Sequence, residues 1–485
     1  MAVLKNSNRI FIGGMQMKKQ MKKLTFIVTV LLPFGPCMAR TIYVDAAGGG
    51  DFAAIQAAVL DANGGDTIIV RPGTYSGAGN YNINFLGKTL TVQSINPEDP
   101  AVVAATVIDC GTLNRAFSLA GVTGAVLDGL TITNGKSFLG GGIYCYSGAT
   151  VTVRRCVISS CTASFAGGGI VSGSSANVTV QDTAVINNAA LSYGGGVYCA
   201  GAQMSLENCL VRGNTTSYGG SGAFDDGDCV MSLCTLSDNT GSVDAGALYC
   251  LRGSNVTVRD SILWDNNSGI YLGTSTLTVL FSDVMGGEGA VVSENSSVLN
   301  WQQGNINADP LFVAGPLGDS YLSQAAAGQS ATSPCVDAGS GLAADLGMSN
   351  RTTRTDGSVD SGKVDMGYHY PASELVIIKA QIDIDPDTIN LSSQGKWIVC
   401  YIRLEAGYDS RNIVPDSVVL EDTVKAQRVW FDNQQQLTQA MFSRSAVANI
   451  LKPGAAVEVS VSGNLQDGTV FAGSDVLKVK AGKKP

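Results

Sequence analysis

Histidine is nearly missing from this chain, with one residue, His369, in 485. That excludes an imidazole-rich metal centre and any arrangement needing two histidines as ligand, base or nucleophile partner. Charge is sparse too: Asp, Glu, Lys and Arg make up 15% of the residues, too few for a coiled coil or a disordered polyelectrolyte. The balance is acidic, with a net charge of −9. The first 39 residues hold six Lys/Arg and no Asp or Glu, so the chain beyond them stands at −15. No basic patch offsets this, which argues against nucleic acid as a partner and against metal-free capture of acidic polysaccharides. After residue 39 no apolar run reaches the ~18 residues of a membrane helix, so no transmembrane segment is expected in the mature chain. The twelve cysteines include neither CxxC nor Cys/His metal spacing, and zinc is not expected.

Glycine, in contrast, is abundant at 59 residues, and it is periodic. From Gly140 to Leu272 the chain reads GGGIYC, GGGI, GGGVYC, GSGAF, AGALYC and SGIYL. The apolar residue after the glycines falls at Ile143, Ile170, Val197, Ala223, Ala247 and Ile270, in steps of 27, 27, 26, 24 and 23 residues. Each unit carries a second β-rich run (Val151–Val153, Val178–Val180, Met204–Leu206, Val256–Val258), and most close on asparagine at Asn188, Asn214, Asn239 and Asn266. One such unit could not bury its apolar face alone, whereas stacked units make a continuous core. The pattern predicts an all-β fold, a right-handed parallel β-helix solenoid. Cysteines ride on the same repeat, as at Cys145 and Cys199, which predicts a ladder of small buried thiols, with Cys209 and Cys234 the pair to test for a disulfide.

The amino end reads as a targeting segment over residues 1–39. Lys18, Lys19, Lys22 and Lys23 precede the apolar run Leu24–Phe34 and a small-x-small site ending at Ala39, with residues 1–16 as upstream padding. In Thr41–Tyr75, Phe52, Ile55 and Val59 share one helical face after Asp51 as N-cap. This predicts a helix covering the open end of the coil, where bare strand edges would invite pairing. DFAAIQAAV with RPGTY resembles the opening of the pectin-lyase-like superfamily, pectin methylesterases in particular. The glycine units resemble the GGA(I/L) repeats of polymorphic outer membrane proteins. NADPLFV at 307–313, SPCVDAG and VDMGYHY resemble the closing segment of bacterial secreted β-helix proteins. The β-helix is thus expected over 40–306, its closing segment over 307–370 and a linker over 371–374. From residue 375 to 485 the period changes: Ile378, Ala380, Ile382 and Ile384 alternate with polar residues, as on a half-buried strand. This predicts a smaller accessory β-sandwich, similar to domains at the carboxyl end of surface and secreted proteins.

Chemistry-bearing residues are few. The superfamily resemblance implies polysaccharide-active enzymes, but Gln181-Asp182-Thr183 echoes an esterase tripeptide without the paired-aspartate run that should follow. Asp225, Asp226 and Asp228 form the strongest acidic cluster and interrupt the repeat, which makes them candidate ligands for Ca²⁺. Arg154, Arg155, Arg212 and Arg259 follow the second run of their units and would stack on one face, as base candidates for a calcium-dependent lyase. Asp356, Asp360 and Asp365 loosely suggest a calcium loop, without the spacing of an EF-hand. Tyr144, Tyr198, Phe224 and Tyr271 follow the repeat apolar residue. If that residue points inward, they form an outward aromatic row suited to sugar faces. The leading expectation is an exported, monomeric cell-surface or extracellular protein without catalytic activity, an adhesin binding a polysaccharide or a surface protein. A polysaccharide lyase is the alternative, and a structural envelope spacer the second.

Overall fold

A computed structural model describes residues 39–241, 245–294, 296–372, 378–393, 395–405, 407–421, 423–433, 437–465 and 470–481. The targeting segment expected at the amino end lies, up to residue 38, outside the described residues, as does part of the expected linker. The described chain is nearly all β, with a parallel solenoid of about 10 turns and a separate curled-sheet domain after it.

Three long parallel sheets line the coil. The first has eleven strands, from Thr41–Val44 to Val298–Trp301, and holds the VTV runs. The second has eight, from Phe117–Ala120 to Val291–Ser293, and holds the residues after the glycines. The third has nine, from Gly73–Ser76 to Asp283–Val284. A fourth, of four short strands from Lys136–Leu139 to Thr215–Thr216, widens the central turns only. Period-two alternation sends one row of each strand inward. Ile143, Cys145, Val151, Val153 and Ile158 are fully or almost fully buried in one continuous core with their equivalents in other turns.

Ladders continue that core where a turn would otherwise leave backbone groups unpaired. The Nδ2 of Asn188 donates to Oδ1 of Asn214 (3.1 Å), Asn214 to Asn239 (3.1 Å) and Asn239 to Asn266 (2.8 Å). The backbone N–H of each of the first three bonds the same acceptor oxygen. A second column at the neighbouring corner runs through Cys156, Thr183, Cys209, Cys234, Ser261 and Ser282. All eleven described cysteines, Cys209 and Cys234 included, are buried and form no disulfide, and burial pushes most of these thiols well up from their ordinary range.

The end-covering helix is Ile55–Asp61, with Ile55, Ala58 and Val59 in the main core. Asp51 does not cap it. Its carboxylate accepts from the Tyr43 N–H (2.8 Å), and the helix start is met from 25 residues away, where Asn80 Oδ1 accepts from the Ile55 N–H (3.0 Å). A second short helix, Pro100–Ala105, is capped by Asp99.

The segment after Asn307 does more than close the last turn. It doubles back along the outer face of the third sheet as a strap. His369 exchanges backbone N–H and C=O bonds with the Asn208 side chain (2.7 and 2.9 Å), Ser340 binds Asp260 (2.6 and 2.8 Å), and Arg351 pairs with Asp182 (2.8 Å). Asp182, Asn208, Leu233 and Asp260 occupy one corner of successive turns, each in the left-handed region (φ 49–56°). That conformation kinks the chain from the first sheet into the third and aims these side chains out at the strap.

In the carboxyl domain, Ile378–Asp385 joins two halves of one curled sheet. Its first two residues pair parallel with Val470–Lys480, and Ala380–Asp385 pair antiparallel with Trp397–Leu404. Ile378, Ile384, Ile398, Phe442, Val459 and Phe471 fill the space between the halves, the core of the expected accessory β domain.

Candidate functional site

The strap determines where the outer face of the third sheet stays open. Its outward row runs Val157, Ala184, Leu210, Thr235, Ile262. Thr235 and Ile262 are buried beneath the strap, Leu210 packs on Tyr321, Tyr368 and Tyr370, and Val157 and Ala184 remain half-exposed. They floor a cleft of about 770 Å³, walled on one side by Pro97–Ala104 and on the other by Pro316–Asp319 and Tyr370 of the strap.

Arginines tie both walls to the sheet. Arg155 binds Asp128 (2.9 Å) beneath it and Glu98 (2.8 Å) on the helix side. Arg212 reaches Asp238 (2.6 Å) within the sheet and Asp319 (2.9 Å) on the strap. Arg351 comes from the strap to Asp182, which also accepts from Asn208 Nδ2 (2.8 Å). The site therefore combines an apolar floor with a rim of charge pairs that still offers hydrogen-bond donors and acceptors to the opening. Burial lowers the proton affinity of Arg155 and Arg212. The hydrogen bonds and charges of their carboxylates outweigh this and hold both guanidiniums above the ordinary value, the reverse of what a base requires.

The four arginines do not stack on one face. Arg154 and Arg259 end strands of the first sheet, Arg155 sits at the corner and Arg212 lies at the far end of a third-sheet strand. Of the esterase-like tripeptide, Asp182 lines the cleft, Gln181 binds Glu207 (2.9 Å) and Thr183 is a buried ladder residue.

The acidic cluster does not converge. Asp225 is buried, accepts from the Tyr198 hydroxyl (3.1 Å) and pairs with Arg252; Asp226 is exposed in the turn, and Asp228 opens the next strand. Asp356 pairs with Arg354, while Asp360 accepts from the Asp365 N–H (3.0 Å) and faces His369 Nε2 (2.8 Å). Among the described residues no group of three or more His, Cys, Asp or Glu is arranged to hold a metal ion. The buried His369 ring also faces the Gly367 carbonyl (2.9 Å) and serves the strap, away from the cleft lining.

The aromatic row is real but shifted. Tyr144 pairs with Val171, then come Tyr198, Ala223, Tyr249 and Tyr271. Phe224 lies opposite Cys199 and Cys250 and is fully buried in the core, which removes it from the row. The cause is one missing residue: the units align at Gly222 and Leu248 rather than at Ala223 and Ala247. Aligning the Tyr-Cys dipeptides of GGGVYC and AGALYC would have identified Tyr249. The rings largely cover one another, with Tyr144 on Tyr146 at 4.5 Å, Tyr193 on Tyr249 at 5.8 Å and Tyr249 on Tyr271 at 4.9 Å. They shield the sheet and leave little open face for a sugar. The cleft was missed because the strap's return is not periodic. The wall helix did leave a signal in Asp99-Pro100, an N-cap followed by a first-turn proline.

Residues 115–306 match the family described as "Right handed beta helix region", and the parallel sheets carry the same coil from Thr41 to Trp301. The coil is thus a right-handed parallel β-helix. No match was found among curated proteins. Among solved structures it is similar to "Crystal structure of pectate lyase Pel9A", at 14% identity and a TM-score of 0.40, covering 68% of this chain and 96% of that one. That likeness is too slight to bear on activity.

Proposed function

We propose that this protein acts outside the cell as a non-catalytic glycan-binding β-helix, with an extended, neutral polysaccharide lying in the cleft over the third sheet. The observation that carries the reading is the pairing of an apolar floor at Val157, Ala184 and Leu210 with the rim of Arg155, Arg212 and Arg351. Sugar rings present C–H faces to such a floor and hydroxyls to such a rim, where planar guanidinium forks and carboxylates serve as donors and acceptors. Glu98, Asp182, Asp238 and Asp319 are each held by an arginine, so the cleft's own ion pairs occupy the groups an acid–base mechanism would need. The acidic balance of the chain disfavours polyuronates, and the reading requires no calcium. The lysine-rich, then apolar amino end supports export.

The test is retention of the purified protein on neutral polysaccharides and polyuronates, with and without Ca²⁺, while unsaturated products and reducing ends are followed. Retention on neutral polymers without turnover is expected. Ala184→Trp, which fills the cleft from its outward floor, should weaken it by about tenfold or more. Calcium-dependent product would overturn the non-catalytic reading in favour of a lyase, and retention indifferent to Ala184→Trp would move binding elsewhere.

A further inference from the structure

The carboxyl domain holds a pocket of a different character, about 550 Å³ in volume, where the loop before Trp397 meets the helix Arg444–Ile450. Its lining is dominated by donors: Lys396, Arg444, Ser393, Ser445, Gln427 and Asn449. No Asp or Glu lines it, and neither Lys396 nor Arg444 forms an ion pair among the described residues. In a chain of net charge −9 such a pair of uncompensated cations is out of place. Arg444 is nine-tenths buried, and its Nε has no hydrogen-bond partner among the described residues. A buried guanidinium nitrogen left unpaired costs free energy unless something occupies it. Gly395 lies against this side chain, and a Cβ there would fall 2.8 Å from that Nε. The neighbouring Lys396 is exposed, its ammonium 5.0 Å from the Trp397 ring centroid.

We infer that this pocket binds a doubly charged oxyanion, a phosphate or sulfate group, between Lys396 and Arg444, with the serine hydroxyls and the Asn449 amide completing its hydrogen bonds. Two cations with no counter-carboxylate match a dianion, and guanidinium and ammonium are the side chains that bind such groups best. The site is independent of the cleft and would let the carboxyl domain engage phosphorylated or sulfated material that the acidic coil repels.

The test is calorimetric titration of the purified protein with inorganic phosphate and with sulfate, against chloride at matched ionic strength, with tryptophan emission as a second readout through Trp397. Saturable binding of either dianion is expected, weakened about tenfold or more by Lys396→Gln, an exposed substitution that leaves the core intact. Gly395→Ala, which adds a methyl group against Arg444, should weaken it comparably. Competition by a sugar phosphate or sugar sulfate would assign the pocket to the esterified group, and its absence to the free ion. Responses no different from chloride, or unchanged in both variants, would overturn the proposal.

Discussion

Asn214 offers the sharpest test of what holds the coil in register. Its side chain is fully buried and makes four contacts. Oδ1 accepts from the Asn188 backbone N–H (3.0 Å) and Nδ2 (3.1 Å), and its own Nδ2 donates to the Val185 carbonyl (2.8 Å) and to Asn239 Oδ1 (3.1 Å). Alanine there leaves two buried donors of Asn188 without this acceptor, each costing about 1–3 kcal/mol, and a small void adds about 1 kcal/mol. The expected loss is about 3–7 kcal/mol. Asn266 makes an equivalent set of bonds but is half-exposed at the end of the column, so water can replace what is lost and Asn266→Ala should cost only about 1 kcal/mol. Solenoids need not unfold in one step. Urea unfolding should therefore be joined by amide exchange at Asn188, which ought to lose protection in Asn214→Ala and keep it in Asn266→Ala. Equal costs for the two variants, or intact protection at Asn188 in Asn214→Ala, would refute burial as the source of the ladder's strength.

Asp283 is fully buried, and its carboxyl group accepts from the Ala308 N–H (3.1 Å) and the Cys335 thiol (3.2 Å); burial, helped by the charge of Asp309, pushes its pKa up to about 6. A raised carboxyl favours the fold while protonated. Its contribution is complete below about pH 4 and is lost as pH rises through 6, so Asp283→Asn should gain about 3 kcal/mol over the parent between pH 4 and pH 8; a flat difference in urea midpoints would contradict this. Gly168→Ala would place a Cβ 2.3 Å from the Gly195 carbonyl and 2.5 Å from that of Ala189, both backbone, and should cost more than about 3 kcal/mol or abolish soluble expression. Gly64→Ala, with open space around it, should leave the thermal melt of the protein unchanged, whereas Gly168→Ala should lower it. Arg351→Met should leave Asp182 with the Asn208 amide but without its ion pair, loosen the strap by about 2 kcal/mol and raise its limited-proteolysis rate severalfold, while the coil itself stays resistant.

The parts of the fold that repeat were legible in the sequence. Glycine triplets, VTV runs and closing asparagines recur because each turn solves the same packing problem, so Ile143, Val151 and Asn188 announce the coil, its inward row and its ladder. The period also misled where it slipped. Gly222 takes the place expected of Ala223, and this single offset turned Phe224 from a surface candidate into core. What stayed illegible depends on non-repeating contacts. Nothing in the spacing of Asn208 and His369, or of Asp182 and Arg351, indicates that residues more than 160 apart meet, yet those meetings shape the cleft. The pocket beside Arg444 was hidden for a related reason: a cation's isolation depends on which carboxylates fold elsewhere.

The coil narrows as it proceeds. Between the aligned residues Ile143, Ile170, Val197, Gly222, Leu248, Ile270 and Val291, the turns take 27, 27, 25, 26, 22 and 21 residues, and the fourth sheet ends at Thr215–Thr216. Turns of such a tapered spool are not interchangeable modules. Duplicating the Ile143–Gly169 turn beside itself would give every strand of all four sheets a partner. Copying the Leu248–Gly269 turn to the same place would interrupt the fourth sheet and leave the strands on either side of it with bare edges. Lengthening by duplication, in evolution or by engineering, is thus confined to the wide half of the coil, and the taper supplies an internal ruler that limits how far the repeat can be copied.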